Sequence, residues 1–198
     1  KRRVAVETLI REQPQEAWKL LVSLLPQSHQ FSSGSRKPEW RDIIPSDWPK
    51  SVTHHEYWEQ IDIYAEMAVS MAKRDIKRLA DLIEHFDSLP PLAQEQILAH
   101  LDSTEIITLS ETERFPLWTV VVSLVMRHRQ FADADWAMKP ELVNKIDSAA
   151  KKIAPDSPML RHRQLFSERA FELLEEEDDI EEQNKKLDEV RRQAVNEI

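Results

Sequence analysis

Glycine is almost missing from this sequence, because Gly34 is the only one in 198 residues and average usage would give about a dozen. Glycine supplies the positive-φ backbone conformations that tight hairpin turns and phosphate-binding loops need. A Rossmann fingerprint or a P-loop requires two or three glycines at fixed spacing, so neither can be present. The sequence therefore excludes nucleotide binding through a glycine-rich loop and disfavours a sheet built from hairpins.

Composition narrows the class of protein further. The chain has no cysteine, which excludes disulfides, cysteine nucleophiles and zinc sites that depend on thiolate. It has no apolar run of 18 residues and no signal peptide, so we expect a cytoplasmic protein without a membrane segment. Because it begins at Lys1 without an initiating methionine and ends at Ile198 within a helical pattern, we expect a fragment of a longer chain.

Negative charge is concentrated near the carboxyl end. The net charge is -9, and the segment 172–189 holds ten acids against two lysines, a net of -8. The remainder is nearly neutral, which argues against a broad basic surface that binds nucleic acid.

Prolines and capping residues mark the starts of five predicted helices. Pro14, Pro140 and Pro158 each stand where a helical apolar spacing begins. Thr53–Glu56 and Ser110–Glu113 both read as capping boxes. The sequence therefore predicts an all-α fold, arranged as an antiparallel multi-helix bundle or as an irregular, solenoid-like helical-repeat array.

For two segments the sequence allows more than one secondary structure. Apolar residues recur every three or four positions over 53–89, which predicts one bent helix or two. The segment 117–126 is nearly all apolar, and its valines favour a strand by propensity. No other segment alternates with period two to pair with such a strand, so we predict a buried central helix. A short helix is predicted to end near Asp102.

We predict a single all-α domain over 1–176, with an ordered loop at about 26–52. The acidic helix 177–198 belongs to the same domain or begins a connection to the rest of a parent chain. The segments 126–131 and 160–166 are similar at a spacing of 34, the length of a tetratricopeptide unit. Their helical phases disagree, so we interpret this similarity as chance.

No group of residues predicts catalysis. His55 and Glu59 share a helix face beside His54, and this mixture suits a metal, but a third ligand is missing and helix capping explains the same residues. His128 with the acids of 133–135 fits no acid–base or metal site, and those acids indicate a helix-terminating turn. We predict no catalytic residue, no metal ligand, no cofactor and no enzymatic activity.

Two clusters are candidate interaction surfaces. The first mixes cations with aromatic residues, as interface hot spots and single-strand nucleic-acid grooves do, although two tryptophans can equally pin a loop to its own domain. The second places four cations on adjacent helix turns, where they can touch phosphate or simply form the solvated face of a helix. The members are Arg36, Lys37, Trp40, Arg41 and Trp48 in the first cluster, and Lys73, Arg74, Lys77 and Arg78 in the second.

Several stretches are similar to a known class of protein: WKLLVSLLP at 18–26, PEWRD at 38–42, HRQFADADWAM at 128–138, and 153–162. They resemble the helical C-terminal region of very large bacterial proteins. Some of these carry a sirtuin-like or STAND-type NTPase module elsewhere and are associated with defence against phage. The resemblance implies a role in sensing or assembly, with the chemistry in another domain, and carries over no functional residue.

The leading hypothesis is a non-catalytic helical scaffold or sensor module of a larger bacterial protein, which recognises a protein partner, a ligand or other domains of its own chain. The alternative is a nucleic-acid-binding helical module that uses the basic patches at 36–41 and 73–78. A small metal-dependent enzyme is a third hypothesis. Salt-dependent binding to DNA or RNA would favour the second, and bound metal with turnover would favour the third.

Overall fold

The computed structural model describes residues 2–26, 53–166 and 180–197. All regular structure in these ranges is helical, and they contain no strand, which confirms the all-α prediction. The 3-10 turns are Phe86–Ser88 and Arg163–Phe166. The α-helices are α1 Arg2–Glu12, α2 Pro14–Leu24, α3 His54–Ala72, α4 Ile76–Ile83, α5 Pro91–Leu101, α6 Thr104–Ile107, α7 Glu111–Gln130, α8 Pro140–Ile153, α9 Pro158–His162 and α10 Ile180–Glu197.

The predicted capping residues begin their helices. The Thr53 amide donates to Glu56 Oε2 at 2.9 Å, and the Glu56 amide donates to Thr53 Oγ1 at 3.2 Å. The hydrogen bond from the Thr53 amide holds the pKa of Glu56 below its ordinary value. Ser110 and Glu113 form the second capping box, at the start of α7. Pro14, Pro140 and Pro158 open α2, α8 and α9, so all five predicted starts are confirmed.

The structure decides between the alternatives for the segments 53–89 and 117–126. The segment 53–89 is two helices, α3 and α4, and a 3-10 turn. Asp75 begins α4, because its Oδ1 accepts the Lys77 amide at 3.0 Å. The valine-rich segment 117–126 lies in the middle of α7, where Leu117 and Val121 are fully buried, so the prediction of a buried helix is confirmed.

Two helices were not predicted. Helix α1 has no capping residue or proline at its start, and it buries only Val6. Helix α6 is a single turn of four residues, Thr104–Ile107. Both are too polar or too short for apolar periodicity to reveal them.

The core is assembled from helices that are mostly close in sequence. Helix α2 packs between α1 and α3, and α3 packs on α4 and α5. Helix α7 packs on α4 and α8, and α5 also contacts α8. The largest fully buried side chains of this core include Phe86, Leu21, Leu25, Leu79, Leu82, Ile83, Ile97, Leu101, Leu117, Ile146 and Ile153.

Helix α10 packs against α9 and the 3-10 turn that follows it. Leu187 and Ala194 are buried, whereas Val195 is exposed, and none of the three belongs to the main core. Within the part of the chain that the structure describes, no helix is long and apolar enough to cross a membrane.

Candidate interaction surfaces

The first predicted cluster lies outside the described residues. Its members are Arg36, Lys37, Trp40, Arg41 and Trp48, all within 27–52. That cluster, like the loop predicted at about 26–52, therefore stays a prediction.

The second cluster occupies the corner between α3 and α4, and we call residues 73–78 the basic corner. The sequence predicted four cations on adjacent turns of a helix, but α3 ends before Lys73 and α4 begins after Asp75. Lys73 and Arg74 therefore lie in the turn between the two helices, and Lys77 and Arg78 lie on the first turn of α4. An acidic residue stands between them, because Asp75 is required there to cap α4.

Arg78 packs within the fold and contacts Asp75 and Trp18. Its side chain is only 20% exposed, and its Nε lies 3.5 Å from Asp75 Oδ2. Its guanidinium lies 5.8 Å from the centre of the Trp18 ring, and Trp18 Nε1 donates to Asp81 Oδ2 at 3.2 Å. Lys73, Arg74 and Lys77 are exposed.

A cleft of about 410 Å³ lies beside the basic corner, between α1, α3 and the start of α4. Its rim carries equal numbers of opposite charges, and the Arg3 and Glu7 side chains on it are 2.8 Å apart. Such a balanced rim has no net attraction for phosphate. The charged residues of the rim are Arg3, Arg74, Arg78, Glu7, Glu66 and Asp75.

The histidines at the start of α3 form an exposed pair with an acid. His55 Nε2 lies 3.3 Å from Glu59 Oε1, and both side chains are more than half exposed. His54 instead faces Trp58, with ring centres 6.0 Å apart. Among the described residues, no group of three histidine or acidic side chains is placed to hold a metal ion.

An ordered turn joins α7 to α8, and we call residues 131–139 the aromatic turn. The Ala134 amide donates to the Phe131 carbonyl at 3.0 Å, and the Ala137 amide donates to the Ala134 carbonyl at 2.9 Å. The acids of 133–135 lie in this turn, in agreement with the predicted end of a helix. Two consecutive hydrogen-bonded turns therefore fix the backbone before α8 begins.

Two large aromatic side chains are displayed on this turn. Phe131 is 38% exposed and Trp136 is 51% exposed. Their ring centres are 5.6 Å apart, and the Trp136 ring also meets the His128 ring edge to face at 5.4 Å. Each aromatic residue is thus held by a neighbour while much of its surface faces solvent.

His128 fixes the far end of the aromatic turn. Its side chain is completely buried, and its Nδ1 accepts a hydrogen bond from the Met138 amide at 3.1 Å. Its Nε2 lies 3.8 Å from Asp87 Oδ2, which accepts from Arg127 Nη2 at 3.2 Å. The acid nearest to His128 is therefore Asp87, a residue that the sequence hypothesis for His128 did not include.

Burial lowers the pKa of His128, and the neighbouring Arg127 lowers it further, although Asp87 opposes them. Burial and Arg127 outweigh Asp87 because the ring has no exposed surface and the Asp87 carboxylate is already paired with Arg127. His128 is therefore neutral at pH 7, which the hydrogen bond from the Met138 amide also requires.

A second exposed aromatic pair stands on the first turns of α3. Tyr57 is 44% exposed and Trp58 is 40% exposed, and their rings meet edge to face at 5.4 Å. The sequence predicted a turn at 133–135, but it predicted neither this pair nor the aromatic turn as an exposed interaction surface. Periodicity indicates which residues can face a core, but it does not show that a tryptophan in a connecting segment stays exposed.

Comparisons of the chain with protein-family models, with curated proteins and with solved structures gave no match. At the basic corner Arg78 is paired with Asp75 and packed on Trp18, which leaves three exposed cations, whereas the aromatic turn exposes aromatic rings on a hydrogen-bonded backbone.

Proposed function

We propose that this chain is a non-catalytic helical scaffold module that recognises a protein partner, or another domain of its own parent chain, through the aromatic turn. The observation that supports the proposal most strongly is the exposure of Phe131 and Trp136 on a backbone fixed by hydrogen bonds. Tryptophan is among the residues that contribute most to protein interfaces.

The order of the turn matters as much as its aromatic character. A flexible loop loses conformational entropy when it binds, and a turn already held in one conformation avoids most of that loss. The bond from the Met138 amide to His128 and the contact of Trp136 with Phe131 hold this turn before any partner arrives. These features favour a partner with an apolar pocket for the Trp136 ring.

The setting within a larger bacterial protein remains part of the proposal. It is supported by the resemblance of segments such as 18–26 and 128–138 to the helical regions of large multidomain proteins. The second of these segments contains most of the aromatic turn. On this proposal the cytoplasmic parent chain performs its chemistry in another domain, and this module supplies recognition.

Site-specific photo-crosslinking in cells that express the complete parent protein tests the proposal. A photo-reactive residue replaces Ala132, an exposed position on the aromatic turn, so that both aromatic rings remain in place. A matched control carries the same group at Leu92, a residue 63% exposed on α5.

We expect one recurrent cross-linked protein or domain from position 132 and none from position 92. Adding Trp136→Ala to the 132 variant is expected to abolish that product. Identical products from both positions, or a product that persists without Trp136, would contradict the proposal.

A further inference from the structure

His128 stands at the contact between the aromatic turn and the rest of the fold, and only one of its protonation states fits that position. Its Nδ1 accepts the Met138 amide, so this nitrogen carries no proton. Protonation would place an N–H on Nδ1, facing another N–H at a distance of 3.1 Å. The hydrogen bond that holds the turn cannot exist in the cationic ring.

The surroundings give the cation little compensation. The ring is completely buried, and the charged groups placed against it are Asp87, from the 3-10 turn before α5, and Arg127, from its own helix. Arg127 already donates to the Asp87 carboxylate at 3.2 Å. The aromatic turn contributes the Trp136 ring and the Met138 amide, neither of which is an acceptor for the new proton in its present place.

We propose that protonation of His128 breaks the bond to the Met138 amide and releases the aromatic turn, so that mild acid switches off the recognition surface. Release lets the His128 ring turn toward water and separates it from the Trp136 ring. The regulatory meaning rests on the proposed function, whereas release of the turn is a property of the chain alone and is measured without a partner.

The direction and size of the pH dependence follow from the thermodynamic linkage between opening of the turn and protonation of His128. Because burial lowers the pKa of the folded ring, the open turn binds the proton more tightly than the closed turn. The open fraction should therefore rise about tenfold for each pH unit below the ordinary histidine value of about 6.5, until the lowered pKa of the closed state is reached.

Nuclear magnetic resonance on the isolated chain tests the release. The six tryptophans are replaced by 5-fluorotryptophan, and the fluorine signal of Trp136 is assigned with Trp136→Phe. Hydrogen exchange of the Met138 amide, corrected for the intrinsic rate, is followed from pH 7.5 to 5.0, with far-ultraviolet circular dichroism as a record of the helices.

His128→Asn is the matched variant, because its Oδ1 can accept the Met138 amide and does not gain a proton in this range. His100→Asn is the second control, since His100 is the other buried histidine among the described residues and its pKa is also lowered by burial. We expect the Trp136 signal and the Met138 protection to change with pH in the unaltered chain and in the His100 variant, and to stay constant in His128→Asn.

The nitrogen shifts of the His128 ring in the unaltered chain provide a measurement that needs no variant. Protonation of the ring should coincide with the loss of Met138 protection. A ring that protonates while the amide stays protected, a transition that survives in His128→Asn, or helices that unfold together with the turn would each overturn the proposal.

A separate measurement tests whether mild acid switches off recognition by the aromatic turn. Cross-linking from position 132 is repeated at pH 7.5 and 5.5, and the yield is expected to fall at the lower pH unless His128→Asn is present. A turn that opens while the yield stays constant contradicts the regulatory role and leaves the release itself intact. The absence of any product at pH 7.5 contradicts the proposed function instead.

Discussion

The basic corner and the aromatic turn both connect two helices of the core, yet they expose different chemistry. At the basic corner the sequence clusters cations, but Asp75 stands among them and Arg78 packs against Trp18. At the aromatic turn the sequence looks like an ordinary helix end, but Phe131 and Trp136 remain exposed on an ordered backbone. A cluster of like residues is therefore a weaker guide to recognition than exposure combined with local order.

The difference arises from what each connection must do for the fold. The corner between α3 and α4 needs an acidic cap, so its own structure neutralises part of its charge. The aromatic turn satisfies its backbone with internal hydrogen bonds and with the buried His128, and its aromatic rings contact their neighbours while much of their surface stays exposed.

The largest expected effect is on the free energy of unfolding. It is expected when Trp18, which packs beneath the basic corner, is compared with Trp136 of the aromatic turn. Trp18 is buried under the basic corner, so Trp18→Ala should lower the free energy of unfolding by about 3 to 5 kcal/mol. Trp136 is half exposed, and Trp136→Ala should cost about 1 kcal/mol through the lost aromatic contacts. Urea unfolding of both variants measures these values, and equal losses would break the comparison.

Removal of the helix cap at the basic corner is expected to lower the free energy of unfolding by a smaller amount. Asp75→Ala removes the acceptor for the Lys77 amide and should lower the free energy of unfolding by about 1 kcal/mol. Asp75→Asn is the control, because asparagine caps a helix about as well and lacks the charge. If Asp75→Asn is as harmful as Asp75→Ala, the acid serves mainly to pair with Arg78 and the cap is secondary.

The smallest effect is expected for the exposed cations. Arg74→Ala and Lys77→Ala should each change the free energy of unfolding by less than about 0.5 kcal/mol, as surface substitutions usually do. We also expect no salt-dependent binding of a short DNA or RNA to the unaltered chain in a fluorescence titration. Binding that weakens with salt and is lost in the double variant would revive the nucleic-acid hypothesis.

Much of the fold could be predicted, because helix starts are local events. Prolines and capping boxes act within a few residues, so Thr53 and Ser110 were recognisable without knowledge of the tertiary structure. The break between α3 and α4 was harder to predict, since Asp75 becomes a cap only when the chain turns there. Helix α1 was missed because it buries one side chain and has no cap.

The candidate site was less predictable because it depends on contacts between distant residues. Asp87 and His128 are 41 positions apart in the sequence, and no local pattern indicates that the acid approaches the ring. The direction of the hydrogen bond from the Met138 amide, which decides the protonation state of His128, is likewise a property of the packed turn. Sequence alone could place these residues at a helix end but could not assign them a role.

The most direct test of the account compares the two regions in one binding measurement. The cross-linker at position 132 is combined with Trp136→Ala in one chain and with Lys73→Ala, Arg74→Ala and Lys77→Ala together in another, after both chains are shown to fold. We predict that the first chain loses the cross-linked partner and that the second retains it at the original yield. Loss of the partner in the second chain and its retention in the first would contradict the account.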